Sequence, residues 1–348
     1  MFDVLLTNAK IVDGANTPWY MGDVGITGDR ITAVGNLKGQ EAKEIFDLAG
    51  RVLAPGFIDV HTHFDLLPFP FSESKYRTSE HRTRQGITTV VVGCCGISVS
   101  PMSAERSVQW MDESQSVKDF PEDKWLHFGD YLDDMSRQRM NTNFAAYVGH
   151  GALRYSVMGN EAREPSEEEL EKMKERLRES MEAGALGMST GLIYQPGVHA
   201  KTAELIALTE VLKETGGVYV SHMRSEGAQW IASVQEVIDI CEANKIPGIM
   251  HHLKTKNKES GEQVKTVLRM IEEARGRGVD IVFDQYPYQA SATTMTVALP
   301  LWARSGDQEE ILERITNPEN RQRLKEGIRQ DYGWKNMEEE KAGTDNFL

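Results

Sequence analysis

The chain has 348 residues, of which 40% are hydrophobic and 26% charged, the composition of an ordinary globular protein. Its formal net charge of −14 argues against nucleic acid and anionic membranes as partners, and no apolar run approaches the length of a membrane span. The three cysteines do not form a disulfide framework and the first residues lack a basic signal segment, so we expect a cytoplasmic protein.

Residues 1–54 predict a small β-sheet domain. Short apolar runs with the turn signals Asp13-Gly14 and Gly28-Asp29 between them are typical of consecutive strands. The predicted strands are Phe2–Thr7, Lys10–Val12, Asp23–Thr27, Arg30–Val34 and Ile45–Leu48. The segment Ala54-Pro55-Gly56 then marks the boundary to a second domain.

Residues 55–288 predict a (β/α)8 barrel, because strand segments alternate with helical ones, which is typical of parallel strands with helical crossovers. The first strand, with Phe57, Ile58 and Val60, is expected to be buried. The other strands are predicted at Thr88–Gly93, Phe144–Val148, Ala185–Ser189, Gly217–Ser221, Pro247–Met250 and Asp280–Phe283. Ser166 predicts a helix start with a capping box, since Glu169 follows three residues later.

Residues 289–348 change character and predict a polar, helical segment, with helices over Asp307–Ile315 and Glu319–Asp331. Seven barrel strands are therefore visible, and no eighth strand is expected before Leu348. The predicted fold class is α/β, a TIM-like metallohydrolase barrel with a small N-terminal β-sheet domain.

The two histidines after the first strand, His61 and His63, are the first candidates for chemistry. Residues two apart on a strand point to the same side, so both imidazoles could face one metal ion, and imidazole suits zinc. In such a barrel the reacting groups lie at the carboxyl ends of the strands. Those ends carry His61, His63, Cys95, His150, His222 and His252, followed by Lys254. Five of the nine histidines at one structural level predict a metal site.

Several motifs follow one another along the chain: His61-Thr-His63, Gly93-Cys-Cys95-Gly96, Met188-Ser-Thr-Gly191, Ser221-His222-Met-Arg224-Ser-Glu226-Gly227, His252 and Tyr286-Pro-Tyr288. In this order they resemble the N-acyl-D-amino-acid deacylases, or D-aminoacylases, of the amidohydrolase superfamily. The resemblance implies zinc-dependent hydrolysis of N-acyl-D-amino acids, by a metal-activated water, to a carboxylate and a free D-amino acid. The preference for the D form follows from the resemblance alone.

The resemblance also implies the metal ligands. Cys95, His222 and His252 are expected to hold a tight zinc, while His61 and His63 face a second, weaker site. Many amidohydrolases place a carboxylated lysine on strand 4, but here that strand ends in Ser-Thr-Gly and Cys95 takes the place of the lysine.

Four further residues lie close to the expected ligands in the sequence or in the predicted site. Lys254 and Tyr286 match positions that bind the α-carboxylate of the substrate in the family. Cys94 has no expected role, and strand alternation is expected to turn His251 away from His252 as a packed residue.

The catalytic residue of the family is an aspartate at the end of strand 8, and no residue after 293 matches it. Asp345 is rejected because no buried strand precedes it. The chain as given therefore resembles a deacylase that ends before its last barrel strand, and low activity is expected without this proton carrier.

Two alternatives stay open. A cyclic-amide hydrolase of the dihydroorotase or hydantoinase type ranks lower, because such sites usually carry the strand-4 lysine. A non-catalytic member of the family would keep the fold for binding or assembly. A redox role for Cys94 and Cys95 is the weakest reading, since adjacent cysteines pair only with strain.

Overall fold

A computed structural model gives the structure of the protein and describes residues 1–66, 80–107, 109–110, 125–137, 140–256 and 261–332. The chain divides into two compact units, one of residues 1–58 and 84–88, the other of residues 59–83 and 89–348. Within the described ranges, no helix combines the length and the apolar character needed to cross a lipid bilayer.

The first unit contains a five-stranded sheet. Its strands are β1 (Phe2–Ile11), β2 (Tyr20–Thr27), β3 (Arg30–Gly35), β4 (Ala42–Asp47) and β5 (Val52–Leu53). The order is β3-β2-β1-β4, and β5 also pairs with β1. β1 runs antiparallel to β2 and parallel to β4 and β5. Ala9, Ile11 and Val24 form its buried core.

Two predicted strands of this unit are one strand in the structure. The segments Phe2–Thr7 and Lys10–Val12 join as β1, whose register with β2 shifts between Leu6 and Ala9. Asn8 adopts a left-handed φ of 55° within this irregularity, so the strand continues through it. The small N-terminal sheet is confirmed, and the exact boundaries 1–54, 55–288 and 289–348 stay predictions.

Strands at all seven predicted barrel positions are present. They are β6 (Phe57–Asp59), β7 (Ile87–Val92), β8 (Asn143–Ala146), β9 (Val148–Gly149), β10 (Gly187–Gly191), β11 (Val218–His222), β12 (Gly248–Met250) and β13 (Ile281–Phe283). β7 pairs in parallel with β8, and β9 through β13 form a parallel sheet in chain order. The predicted third strand is split at Tyr147, since β8 pairs with β7 and β9 pairs with β10.

Helices connect these strands, as the alternation predicts. They are α1 (Glu80–Thr83), α2 (Phe128–Arg137), α3 (His150–Met158), α4 (Glu167–Glu182), α5 (Thr202–Thr215), α6 (Trp230–Asn244), α7 (Gly261–Gly276), α8 (Leu301–Arg304), α9 (Gln308–Thr316) and α10 (Arg321–Tyr332). The capping box of Ser166 and Glu169 is confirmed at the start of α4. The two predicted C-terminal helices correspond to α9 and α10, whereas Asp345 lies outside the described residues.

The expected burial of the first barrel strand is wrong. Phe57 and Ile58 are 63% and 61% exposed, and Val60 is exposed as well. Val282 and Phe283 of β13 are also exposed, and among the described strands β13 pairs only with β12. An apolar strand sequence shows what a strand is able to bury, but burial itself requires other residues to pack on both faces.

A buried charged triad joins α3 to α5. His150 and Arg154 are fully buried, and both contact the carboxylate of Glu204, at 2.9 Å from His150 Nε2 and 2.7 Å from Arg154 Nη1. His150 therefore does not stand with the other strand-end histidines, because β9 ends at Gly149 and His150 begins α3. Burial alone would raise the pKa of Glu204, but the hydrogen bonds from His150 and the charge of Arg154 lower it.

We expect Glu204→Gln to destabilise the protein by about 3 kcal/mol, because it leaves a buried guanidinium without its counter-charge. Urea unfolding at neutral pH measures this loss. Since the folded-state pKa of Glu204 is lowered, its stabilisation is present at neutral pH and disappears as the pH falls through that pKa.

The matched control is Glu210→Gln, which removes an exposed partner of Lys174 and should change stability little. Equal losses in the two variants would contradict a stabilising role for the triad.

Candidate metal centre

A glycine-rich loop after β7 places Cys95. Gly93, Cys95 and Gly96 all adopt left-handed φ angles, of 72°, 55° and 74°. A Cβ at Gly93 would lie 2.1 Å from the carbonyl oxygen of Tyr147, so a larger residue cannot occupy that position. Ser189 on β10 fixes the loop from the other side, since its Oγ accepts the Gly96 N–H at 3.1 Å.

Four potential ligands converge at these strand ends. Cys95 Sγ lies 3.3 Å from His61 Nε2 and 3.8 Å from His252 Nε2, and His252 Nε2 lies 2.9 Å from His222 Nδ1. Cys95, His222 and His252 are buried. Tetrahedral zinc with bonds of about 2.0–2.3 Å separates its ligand atoms by roughly 3.3–3.8 Å, which is close to this spacing.

The protonation states also fit a zinc site. Burial lowers the pKa values of His222 and His252, so both imidazoles are neutral at physiological pH. Burial raises the pKa of the Cys95 thiol, which therefore needs a cation to become a thiolate. One sulfur and two imidazole nitrogens are a donor set that zinc favours.

The two histidines of the His-x-His motif are placed differently from one another. His61 joins Cys95 and His252 as a possible ligand group, whereas His63 enters none of the ligand groups found among the described residues. Their ring centres are 5.5 Å apart. Burial, together with the nearby His61 and His251, lowers the pKa of His63 to about 4. A second zinc site shared by His61 and His63 stays a prediction.

Sequence reasoning missed a second cluster, formed by His61, His251 and Asp284. His251 is fully buried, donates from Nδ1 to Asp284, and lies with its ring centre 4.0 Å from that of His61. The expectation from strand alternation fails because β12 ends at Met250 and His252 adopts a left-handed φ of 40°. Both histidines of the pair therefore face the site.

Asp284, directly after β13, stabilises the backbone turn at His252. Its Oδ1 accepts the backbone N–H of His252 at 2.6 Å, and His61 Nδ1 lies 3.8 Å from the same oxygen. Burial alone would raise the pKa of Asp284, but the hydrogen bond from His251 and the nearby imidazole of His61 prevail and lower it. Its position directly after a predicted strand was the sequence signal that could have identified it.

The two predicted carboxylate-binding residues lie beside His252. Lys254 Nζ is 3.1 Å from His252 Nδ1 and 5.4 Å from the ring centre of Tyr286. The Tyr286 hydroxyl is buried and has no hydrogen-bond partner within the described ranges. Glu226, which the sequence motif contains but to which we assigned no role, contacts Lys254 Nζ at 2.5 Å.

A cavity of about 960 Å³ reaches this cluster, with His63, Cys95 and Tyr194 in its lining. The remainder of the lining mixes apolar residues, such as Ile97, Trp110 and Ile311, with polar and charged ones, such as Thr293, Arg304 and Glu309. Such a volume is sufficient for a small organic ligand next to the candidate metal ligands.

Comparisons with known proteins identify the family of the chain. Residues 44–315 match the amidohydrolase family. The chain is 36% identical to D-aminoacylase and 37% identical to N-acyl-D-glutamate deacylase, both from Alcaligenes xylosoxydans xylosoxydans, over 84% of its own length. It covers 59% and 58% of these two relatives, so it spans about three-fifths of their length.

Solved structures give the same result. A crystal structure of D-aminoacylase superposes with a TM-score of 0.76 at 36% identity, over 84% of this chain and 60% of the other. The structure of N-acyl-D-glutamate deacylase from Bordetella bronchiseptica, complexed with zinc and a phosphonate inhibitor, superposes with a TM-score of 0.72 at 34% identity. The match covers 82% of this chain and 59% of the deacylase chain. Together with the parallel strands, these likenesses confirm the predicted resemblance and the barrel fold class.

We expect the affinity for zinc to rise with pH. Because the Cys95 pKa is raised while the pKa values of His222 and His252 are lowered, zinc binding should release about one proton, the thiol proton. The logarithm of the association constant should therefore increase by about one per pH unit around neutrality. Competition with a coloured chelator across this pH range measures the slope.

Cys95→Ser should lower the affinity and remove this slope. Cys94→Ser is the matched control, because Cys94 is an equally buried neighbour that lies in none of the ligand groups of the described residues. A pH-independent affinity, or equal effects of the two substitutions, would show that Cys95 is not a ligand.

Proposed function

The chain belongs to the amidohydrolase family, and we propose that it hydrolyses the amide bond of small N-acyl-D-amino acids to a carboxylate and a free D-amino acid. One observation carries this proposal. A buried cysteine and two buried histidines adjoin a lysine and a tyrosine suited to a carboxylate, next to a cavity of substrate size. The D preference is supported by the relatives, which are named for D-amino acid substrates.

The residues of the chain divide the work of the proposed reaction. Cys95, His222 and His252 would hold zinc, which when bound lowers the pKa of a water to near 7 and polarises a carbonyl. Lys254 and Tyr286 would bind the α-carboxylate, Lys254 through its charge and Tyr286 through a hydroxyl without another partner among the described residues. Anchoring the carboxylate beside His252 would hold the amide carbonyl against the metal site.

A second, weaker zinc site is part of the proposal, with His61 and His63 as its predicted ligands. D-aminoacylase, a similar protein of known structure, has a binuclear metal centre, which supports two sites in that protein. In the present structure His61 belongs to two possible ligand groups, one with Cys95 and His252 and the other with His251 and Asp284.

The cyclic-amide alternative has less support. Strand β10 ends in the buried residues Ser189, Thr190 and Gly191, and this end offers no lysine side chain to a metal. Ser189 instead hydrogen-bonds the Cys95 loop.

We also propose a reducing, cytoplasmic location, since Cys94, Cys95 and Cys241 are all free thiols. The acidic net charge supports a small-molecule substrate and disfavours nucleic acid and membrane surfaces as partners.

We expect the zinc-loaded protein to hydrolyse N-acetyl derivatives of D-methionine, D-leucine, D-glutamate or D-aspartate, but not their L enantiomers. The rate should be low, because no residue of the chain matches the proton-carrying aspartate of the family. Lys254→Met should raise KM by roughly 10- to 100-fold, because a charge-assisted hydrogen bond contributes about 1.5–3 kcal/mol. Release of the free amino acid, followed with a ninhydrin assay, measures both effects.

Lys265→Met is the control, since Lys265 is exposed on α7 and pairs only with Glu262 among the described residues. Zinc-loaded protein that leaves every one of the D substrates intact would contradict the proposed function.

A further inference from the structure

Glu226 is a buried carboxylate to which the proposed reaction assigns no role. Only 4% of its side chain is exposed, and it follows the end of β11 by four residues. Besides Lys254 at 2.5 Å, its carboxylate lies 3.4 Å from His252 Nδ1, 3.6 Å from His222 Nε2 and 3.6 Å from Lys256 Nζ. One carboxylate thus contacts two candidate zinc ligands and the candidate substrate-binding cation.

The contact with His252 matters because of the tautomer that a metal requires. A neutral imidazole that binds a metal through one nitrogen carries its proton on the other. His252 directs Nε2 towards Cys95 and His222, so its proton must lie on Nδ1 when Nε2 binds zinc. Glu226 is placed to accept that proton in a hydrogen bond, which fixes the ring and increases its basicity.

The contact between Glu226 and Lys254 matters because of the number of hydrogen-bond donors on Lys254. An ammonium group has three N–H donors and no acceptor. Lys254 faces Glu226 and His252 Nδ1, and its third contact, the His252 carbonyl oxygen at 3.4 Å, is a weak one. Once His252 Nδ1 carries a proton, Lys254 cannot donate to it. Glu226 then holds Lys254, and donors of Lys254 become available to a substrate carboxylate.

We propose that Glu226 is a positioning residue that sets the zinc-binding tautomer of His252 and at the same time holds Lys254 for the substrate carboxylate. The Lys254 part of this inference rests on the proposed function, whereas the His252 part rests on zinc binding alone. Glu226 forms a possible ligand group with His222 and His252. Its carboxylate, however, faces His252 Nδ1 and His222 Nε2, whereas the two rings approach each other through His252 Nε2 and His222 Nδ1. Glu226 therefore acts through His252 and Lys254 and is not itself a zinc ligand in this proposal.

Glu226→Gln tests both parts. It should weaken zinc binding roughly 10- to 100-fold, as loss of a carboxylate behind a histidine ligand typically does, and it should raise KM for N-acetyl-D-methionine more than it lowers kcat. Glu226→Asp keeps the charge and should recover part of the zinc affinity. Chelator competition gives the zinc affinity, and circular dichroism compares the folding of the variants.

The control is Glu236→Gln. Glu236 on α6 lies 2.8 Å from the guanidinium of Arg224, which belongs to the same segment after β11 as Glu226. This substitution should leave the zinc affinity within a few-fold of the wild-type value. A double variant separates the two parts of the inference. In a Lys254→Met background, Glu226→Gln should still weaken zinc binding but should no longer raise KM.

An unchanged zinc affinity in Glu226→Gln would overturn the inference. A loss of zinc affinity as large as that caused by Cys95→Ser would also overturn it, because Glu226 would then be a zinc ligand. If Glu226→Gln does not fold, the zinc affinity of Glu226→Asp decides, and an affinity as low as that of Cys95→Ser would again overturn it. Wild-type protein that binds zinc but no N-acyl-D-amino acid contradicts the proposed function, and the zinc comparison still tests Glu226.

Discussion

The candidate site depends on the burial of side chains that could bind a metal ion and that face one another at the ends of parallel strands. His252 lies between the other two, 3.8 Å from the thiol of Cys95 and 2.9 Å from the imidazole of His222, and all three side chains are buried. Desolvated polar atoms without partners cost stability, and a bound cation that accepts their lone pairs offsets that cost. The donor set and the lowered pKa values of the histidines both suit zinc.

Much of the surrounding backbone serves this arrangement. Left-handed residues occur where side chains must turn towards the cluster, at Cys95 in the glycine loop and at His252 after β12. Carboxylates then fix the turns, Asp284 through the backbone N–H of His252 and Glu226 through Lys254. The candidate ligands therefore come from three strand ends, those of β7, β11 and β12, and acidic side chains hold His252 and Lys254 in place.

The strand positions and the capping box were predictable because they depend on local patterns of apolar and turn residues. The gathering of Cys95, His222 and His252 was predictable from the rule that parallel strands end at one face. The placement of His251 was not, because alternation stops at Met250, where the strand ends one residue before the histidine pair. The exposure of Phe57 was also not predictable from the sequence, because burial depends on which residues pack over a strand.

The measurement that tests the central claim most directly is X-ray absorption at the zinc edge on the zinc-loaded protein. The account predicts one sulfur neighbour at about 2.3 Å together with nitrogen neighbours at about 2.0–2.1 Å, and loss of the sulfur in Cys95→Ser. A zinc environment that contains only nitrogen and oxygen would contradict it, because Cys95 would then not be a ligand.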